Sequence, residues 1–169
     1  MYIRSINKNT MKNLITLLIV LLSISGYSQL PTDTIGYDGV NVRLIDSLVE
    51  VYVNEERVSR GIKPLLITKE RRVHSYNHSQ WMVDNDKFEH SQYPSECIIM
   101  TYVYSKTTYN KIAKTLVREW FESPGHKRNL LDSLYEYGGC GTATITDLPV
   151  DSFYTIKTSF GLSIWERNL

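Results

Sequence analysis

The sequence predicts an α+β domain in which helices cover a small antiparallel sheet. Three observations carry this: apolar residues recur at helical intervals up to about residue 130, the pattern changes to period two from Tyr137, and no internal repeat or low-complexity tract interrupts either. With 169 residues, of which 42% are hydrophobic and 22% charged, the chain has the length and composition of one globular domain with one core.

Residues 1–28 are expected to stand apart from that domain. Arg4, Lys8 and Lys12 precede an apolar run from Leu14 to Ile24 and the small-residue stretch SGYS, the pattern of a secretory signal peptide cleaved after Ser28, with Met11 as an alternative initiator. The run is shorter than the roughly 20 residues that span a bilayer, and no comparable run follows, so no transmembrane segment is expected. The expected destination is the medium or a periplasm. Cleavage removes three of the 19 basic residues and none of the 18 acidic ones, turning a net charge of +1 into −2, which argues against nucleic acid as a partner. Cys97 and Cys140 are the only cysteines, and an exported chain leaves the reducing cytosol, so a disulfide between them and two buried thiols are both open.

Residues 29–40 are rich in turn formers and read as an extended lead-in to a domain at 41–169. Val42, Ile45, Leu48, Val49, Tyr52 and Val53 recur three and four apart, and Gly61 follows as a C-cap, which predicts a helix from Val42 to Ser59. Thr68 is the expected N-cap of a second helix that ends near Asn85 and buries Val73, Trp81 and Met82 with an aromatic such as Tyr76. DKFEHSQYPSE has no period and reads as a loop. After the apolar run CIIMTYVY, a third helix is expected from Thr108 to Glu122 with Ile112, Ala113, Leu116, Val117 and Trp120 on one face. SPGHKRNLL then restarts a short helix, with Ser123 as cap and Pro124 where a missing N–H costs nothing. GGCGTATIT and FYTIKTSFGLS, separated by DLPVDS, predict an antiparallel hairpin.

Chemistry points first to the four histidines. His74 and His78 have the i, i+4 spacing of HExxH zinc hydrolases, but Ser75 follows His74, so the general base of that motif is missing and a helix surface or one buried, hydrogen-bonded histidine is the expected role. His90 sits in the irregular loop, five residues before Glu96 in SECI. His126 sits at a predicted helix start. Two neutral imidazoles and a carboxylate would leave an open position on a bound zinc ion.

The order of these pieces is itself a pattern. Asn54, Arg57, Gly61, Pro64 and Leu65 come first, then HSQWM, FEHS, SECI, VREWFESPGHKRNLL, YGGCG and YTIKTSFG. Over residues 42–164 this resembles the CAP superfamily (SCP; cysteine-rich secretory, antigen 5 and pathogenesis-related 1 proteins) in its short bacterial form. The resemblance implies an α-β-α sandwich with a central cleft holding two histidines and two acids. Carried onto this chain, the histidines are His90 and His126 and the first acid is Glu96, with Ser95 and Cys97 where the family has Gly and Asn. The second acid has no clear counterpart: Ser123 stands at its position, and the adjacent Glu122 is carried as the candidate.

Two functions from different classes follow. The first is a secreted binding or interaction module for a small-molecule, lipid or protein ligand, whose cleft takes a divalent cation, zinc above others, through His90 and His126. The second is a hydrolase of ester or peptide bonds that is metal-dependent or uses Glu96 as general base. Cys97 lies beside Glu96, which disfavours a thiolate nucleophile. Tyr93, Tyr102, Tyr104 and Tyr109 offer a further reading, an aromatic wall for an apolar ligand, against ordinary core packing.

Overall fold

Asn41 opens the first helix by accepting the Leu44 N–H on its side chain at 3.1 Å, the bond an N-cap residue gives an otherwise orphan donor. In the computed structural model, which describes residues 34–35, 39–92, 95–145 and 153–164, this helix, α1, spans Val42–Ser59. It ends as expected at Gly61, whose φ of +72° is the left-handed backbone that glycine adopts without strain. All described residues belong to the unit Pro31–Leu169. The signal peptide, its cleavage site, most of the lead-in and the DLPVDS connection lie outside the described residues.

The other elements are β1 (Leu66–Ile67), α2 (Lys69–Asp84), β2 (Glu96–Tyr104), α3 (Tyr109–Glu122), α4 (Pro124–Leu130), β3 (Tyr137–Ile145) and β4 (Phe153–Ser163). Thr68 and Thr108 cap α2 and α3 with their hydroxyls. Ser123 occupies the N-cap position of α4, but its hydroxyl makes no capping bond; Pro124 starts that helix by its fixed φ alone. The apolar run CIIMTYVY, to which periodicity assigns no element, is β2. The sheet runs β1-β3-β4-β2 and is mixed rather than purely antiparallel, because the two residues of β1 pair parallel to β3.

Alternation along the strands gives the sheet two unlike faces. One carries Cys97, Ile99 and Val103 of β2, Cys140 of β3, and Ile156 and Phe160 of β4; it packs on Leu44, Ile45, Val49 and Val53 of α1 and Ile112, Leu116 and Trp120 of α3. Trp120 meets Phe160 edge to face at 6.0 Å between ring centres. The other face carries Gly139, Gly141 and Gly161 and lies under α2. The result is the α-β-α sandwich.

The α2 side corrects an expectation. Of the residues predicted to be buried there, Met82 is, but Val73, Tyr76 and Trp81 are 47%, 44% and 39% exposed. The helix instead buries Ser75, His78 and Ser79. The cause is the glycine row: a methyl group on Gly141 would stand 2.1 Å from the Tyr76 amide nitrogen, and one on Gly139 2.5 Å from that of Arg72. At that separation only small side chains fit. Ser75 donates to Gly139 O at 2.8 Å and accepts the Gly161 N–H at 2.9 Å, and Ser79 donates to Gly141 O at 2.7 Å.

The register also decides the cysteines. Cys97 and Cys140 both pair with Phe160, one from each side of β4, so they are two strand spacings apart, about 9.5 Å between Cα atoms. A disulfide needs less than about 7 Å. Both are buried free thiols.

Candidate functional site

Glu96 begins β2, and its side chain is 1% exposed. Such a carboxyl must find donors or lose several kcal/mol of hydration, on the order of 2–7 kcal/mol for a polar group. It finds one on each oxygen: the Ser91 N–H donates to Oε1 and the Ser159 hydroxyl to Oε2 at 3.1 Å. Two imidazoles adjoin Oε1, His90 Nδ1 at 3.4 Å and His78 Nε2 at 3.5 Å.

These histidines stand in different surroundings. His90 is 57% exposed at the mouth, whereas His78 is 8% exposed beneath it. His78 Nε2 also lies 3.0 Å from Glu89 O; a carbonyl only accepts, so that nitrogen carries the proton. His78 thereby ties the His90 loop to α2. The same loop is fastened by Lys157, a buried lysine whose Nζ donates to Met82 O at 2.7 Å and Lys87 O at 2.9 Å.

His126 comes from the first turns of α4, on the other side of the β2 end. Its ring centre is 6.3 Å from that of His90, with the planes tilted by 57°. Burial, and then the neighbouring His90, push its pKa below the ordinary imidazole value, which favours the neutral ring. Cys97 supports this helix from below, its thiol donating to His126 O at 3.8 Å. Burial, reinforced by Glu96, raises the Cys97 pKa far above the ordinary thiol range, so Cys97 is no nucleophile.

The structure therefore brings His90, Glu96 and His126 together at one end of the edge strand. It does not bring Glu122 there. That side chain is 69% exposed, pairs with Arg118 at 3.7 Å, and lines the groove between α1 and α3. Nor do the tyrosines wall this site. Tyr109 is fully buried, with its hydroxyl accepting the Asn41 N–H, and Tyr102 lies six residues along β2 from Glu96, about 20 Å away; Tyr93 lies outside the described residues. Sequence reasoning missed Ser91, Ser159 and Lys157; its expectation of one buried, hydrogen-bonded histidine holds for His78, whose approach to Glu96 it did not foresee. The available signal was the i, i+4 pair of histidines upstream of FEHS.

The residues can be tested against zinc. A zinc centre takes at least three protein ligands at about 2.0–2.3 Å. His90 and His126 supply two, the Glu96 oxygens already hold protein donors, and among the described residues no group of three His, Cys, Asp or Glu side chains is placed to hold a metal ion. As arranged, the site does not fit a three-ligand zinc centre.

The family model described as "CAP: Cysteine-rich secretory protein family" matches residues 51–156, a span that contains His78, His90, Glu96 and His126 and stops short of Lys157 and Ser159. The chain belongs to the CAP family. Solved structures similar to it are distant. An outer surface protein from Borrelia burgdorferi is 14% identical, with 77% of this chain and 97% of that one covered at a TM-score of 0.45. MpPR-1i is 19% identical, with 79% and 93% covered at 0.48. An extracellular protein containing a SCP domain from Bacillus anthracis str. Ames is 19% identical, with 68% and 39% covered at 0.43. Among curated proteins, none matches the chain.

In CAP terms, two of the sequence marks prove to be fasteners rather than site residues. Arg57 is fully buried and donates to Lys63 O, Leu130 O, Asp132 O and Tyr135 O at 2.7–3.0 Å, fixing the end of α4 against α1. Asn54 exchanges two hydrogen bonds with the Leu65 backbone.

Proposed function

We propose that the chain is an exported CAP-domain binding module whose ligand site is the cleft of His90, Glu96 and His126. The observation that carries this reading is the placing of a buried, doubly hydrogen-bonded carboxylate directly beneath an exposed imidazole, with a second, mostly neutral imidazole facing it. A carboxylate so held anchors the His90 ring and leaves the two imidazoles to face a ligand. The ligand class that suits them is a small polar molecule able to accept and donate hydrogen bonds. Hydrolysis with Glu96 as general base would require that buried carboxylate to give up the donors on both its oxygens, a change the binding reading does not need. A divalent cation in the same cleft would need His90 and His126 to close on one ion.

The experiment is zinc titration calorimetry at neutral pH beside a thermal-shift survey of polar metabolite-sized compounds. It compares the mature chain with His90→Ala, His126→Ala and the distant Lys111→Glu. A saturable response lost in both histidine variants and kept in Lys111→Glu supports the cleft; a response equal in all four proteins sinks it. A His74→Ala/His78→Ala protein is not a neutral control, because His78 touches Glu96.

A further inference from the structure

Away from the cleft, the far half of β2 is an edge with no neighbouring strand among the described residues. The strand is last in the sheet, and the Leu162 N–H donates to Ser95 O, so the odd-numbered residues of β2 turn their backbone groups toward β4. The even-numbered ones turn outward. Ile98 O is met there by the Trp120 indole N–H at 3.2 Å, but among the described residues no strand meets Met100 or Tyr102.

Native edges are usually blunted by proline, charge or a bulge. This one has none of them. From Cys97 to Tyr104 there is no proline and no charged side chain, and the register runs without a slip from Glu96↔Gly161 to Tyr104↔Phe153. Its outward side chains are aromatic and exposed, Tyr102 at 60% and Tyr104 at 62%, both packed against Phe153 of β4.

On the opposite face, α3 runs beside the edge and forms the second wall of a groove. Lys111 lines it with Thr101, Tyr102 and Tyr104, and no acidic side chain lines this groove among the described residues; farther along the helix Lys114 lies over the Tyr52 ring at 5.3 Å and Arg118 pairs with Glu119 and Glu122. A second copy of the chain would fit the backbone of this edge, but a twofold β2-to-β2 pairing would set the cations of both α3 helices against one another. The charge favours a partner of opposite sign.

We propose that the outer edge of β2 at Met100 and Tyr102, up to the point where the Tyr104 carbonyl accepts the Thr107 N–H, binds an extended peptide of a protein partner as a fifth strand, with acidic side chains alternating with apolar ones. The acids face Lys111 across the groove, and the apolar residues lie along Met100, Tyr102 and Tyr104 on the other face, as strand alternation requires. The site is independent of the histidine cleft.

The test titrates the mature chain with a short peptide alternating valine and glutamate, followed by fluorescence anisotropy and by backbone amide shifts. Saturable binding that moves the Met100 and Tyr102 amides is expected. It should vanish for a peptide alternating valine and lysine and for the glutamate peptide N-methylated on its pairing edge, which leaves the protein untouched. Lys111→Glu should weaken it by at least about tenfold, while His90→Ala and His126→Ala bind normally. Binding that survives N-methylation, equal binding of the lysine peptide, or no saturation in the millimolar range overturns the proposal. So does a dimer in sedimentation that Tyr102→Pro dissociates, which would make a second copy the occupant.

Discussion

Glu96 and Asp46 are both carboxyls drawn into the interior, and their oxygens are served differently. Glu96 has a donor on each. Asp46, on the α1 face toward β3, bonds with the Thr142 and Cys140 side chains, but its Oδ1 is sealed from solvent and has no partner among the described residues. Burial pushes its pKa up to about 7, against the two hydrogen bonds and Arg72, which lower it, while the neighbouring Glu50 raises it further. The sign of the linkage follows. The unfolded carboxyl ionises near 3.8 and the folded one near 7, so the folded form holds the extra proton between them. Stability from this group is complete below pH 3.8, falls as pH rises through that window, and is lost above 7. Asp46→Asn should therefore stabilise the protein at pH 8 by on the order of 2–4 kcal/mol relative to its effect at pH 4. Urea denaturation of both proteins at the two pH values checks it, and an equal difference at both would contradict the buried carboxyl.

Among the elements, α1 and α3 were legible because their apolar residues face the core at helical spacing and their caps are local. The β2 strand was not, since a short apolar run carries no period that separates strand from buried helix. The α2 helix was legible in its limits and misread in its orientation. Which of its faces turns inward is set by Gly139 and Gly141, more than fifty residues downstream, and no periodicity within the helix contains that information. The candidate site shows the same division. His90, Glu96 and His126 could be read from the order of family motifs, while Ser91, Ser159 and Lys157 act through tertiary neighbours that sequence spacing does not reveal. The glycine row makes a prediction at this scale. Gly141→Ala forces α2 off the sheet and should cost at least about 1–3 kcal/mol, the usual price of overpacking. It should also broaden the His90 imidazole resonance, because His78 and the loop move with α2. A substitution neutral by both measurements would mean the helix rides higher than 2.1 Å allows.

For the whole molecule, the separation of Cys97 and Cys140 by an intervening strand means that stability does not depend on redox state. The thermal midpoint should be the same with and without a strong reductant. A drop on reduction would reveal a bond that this register forbids. Stability rests instead on pairings between the two ends of the chain. Glu50 of α1 accepts the Cys140 N–H from 90 residues away, and Arg57 binds carbonyls 73 to 78 residues downstream. These contacts have a temporal consequence. A chain made from its N-terminus emerges with α1 long before β3 and β4 exist, and loop closure over such distances is slow. The first two thirds of the protein thus have no native core to collapse onto until the last strands arrive, and threading through a narrow passage would meet little folded structure to undo.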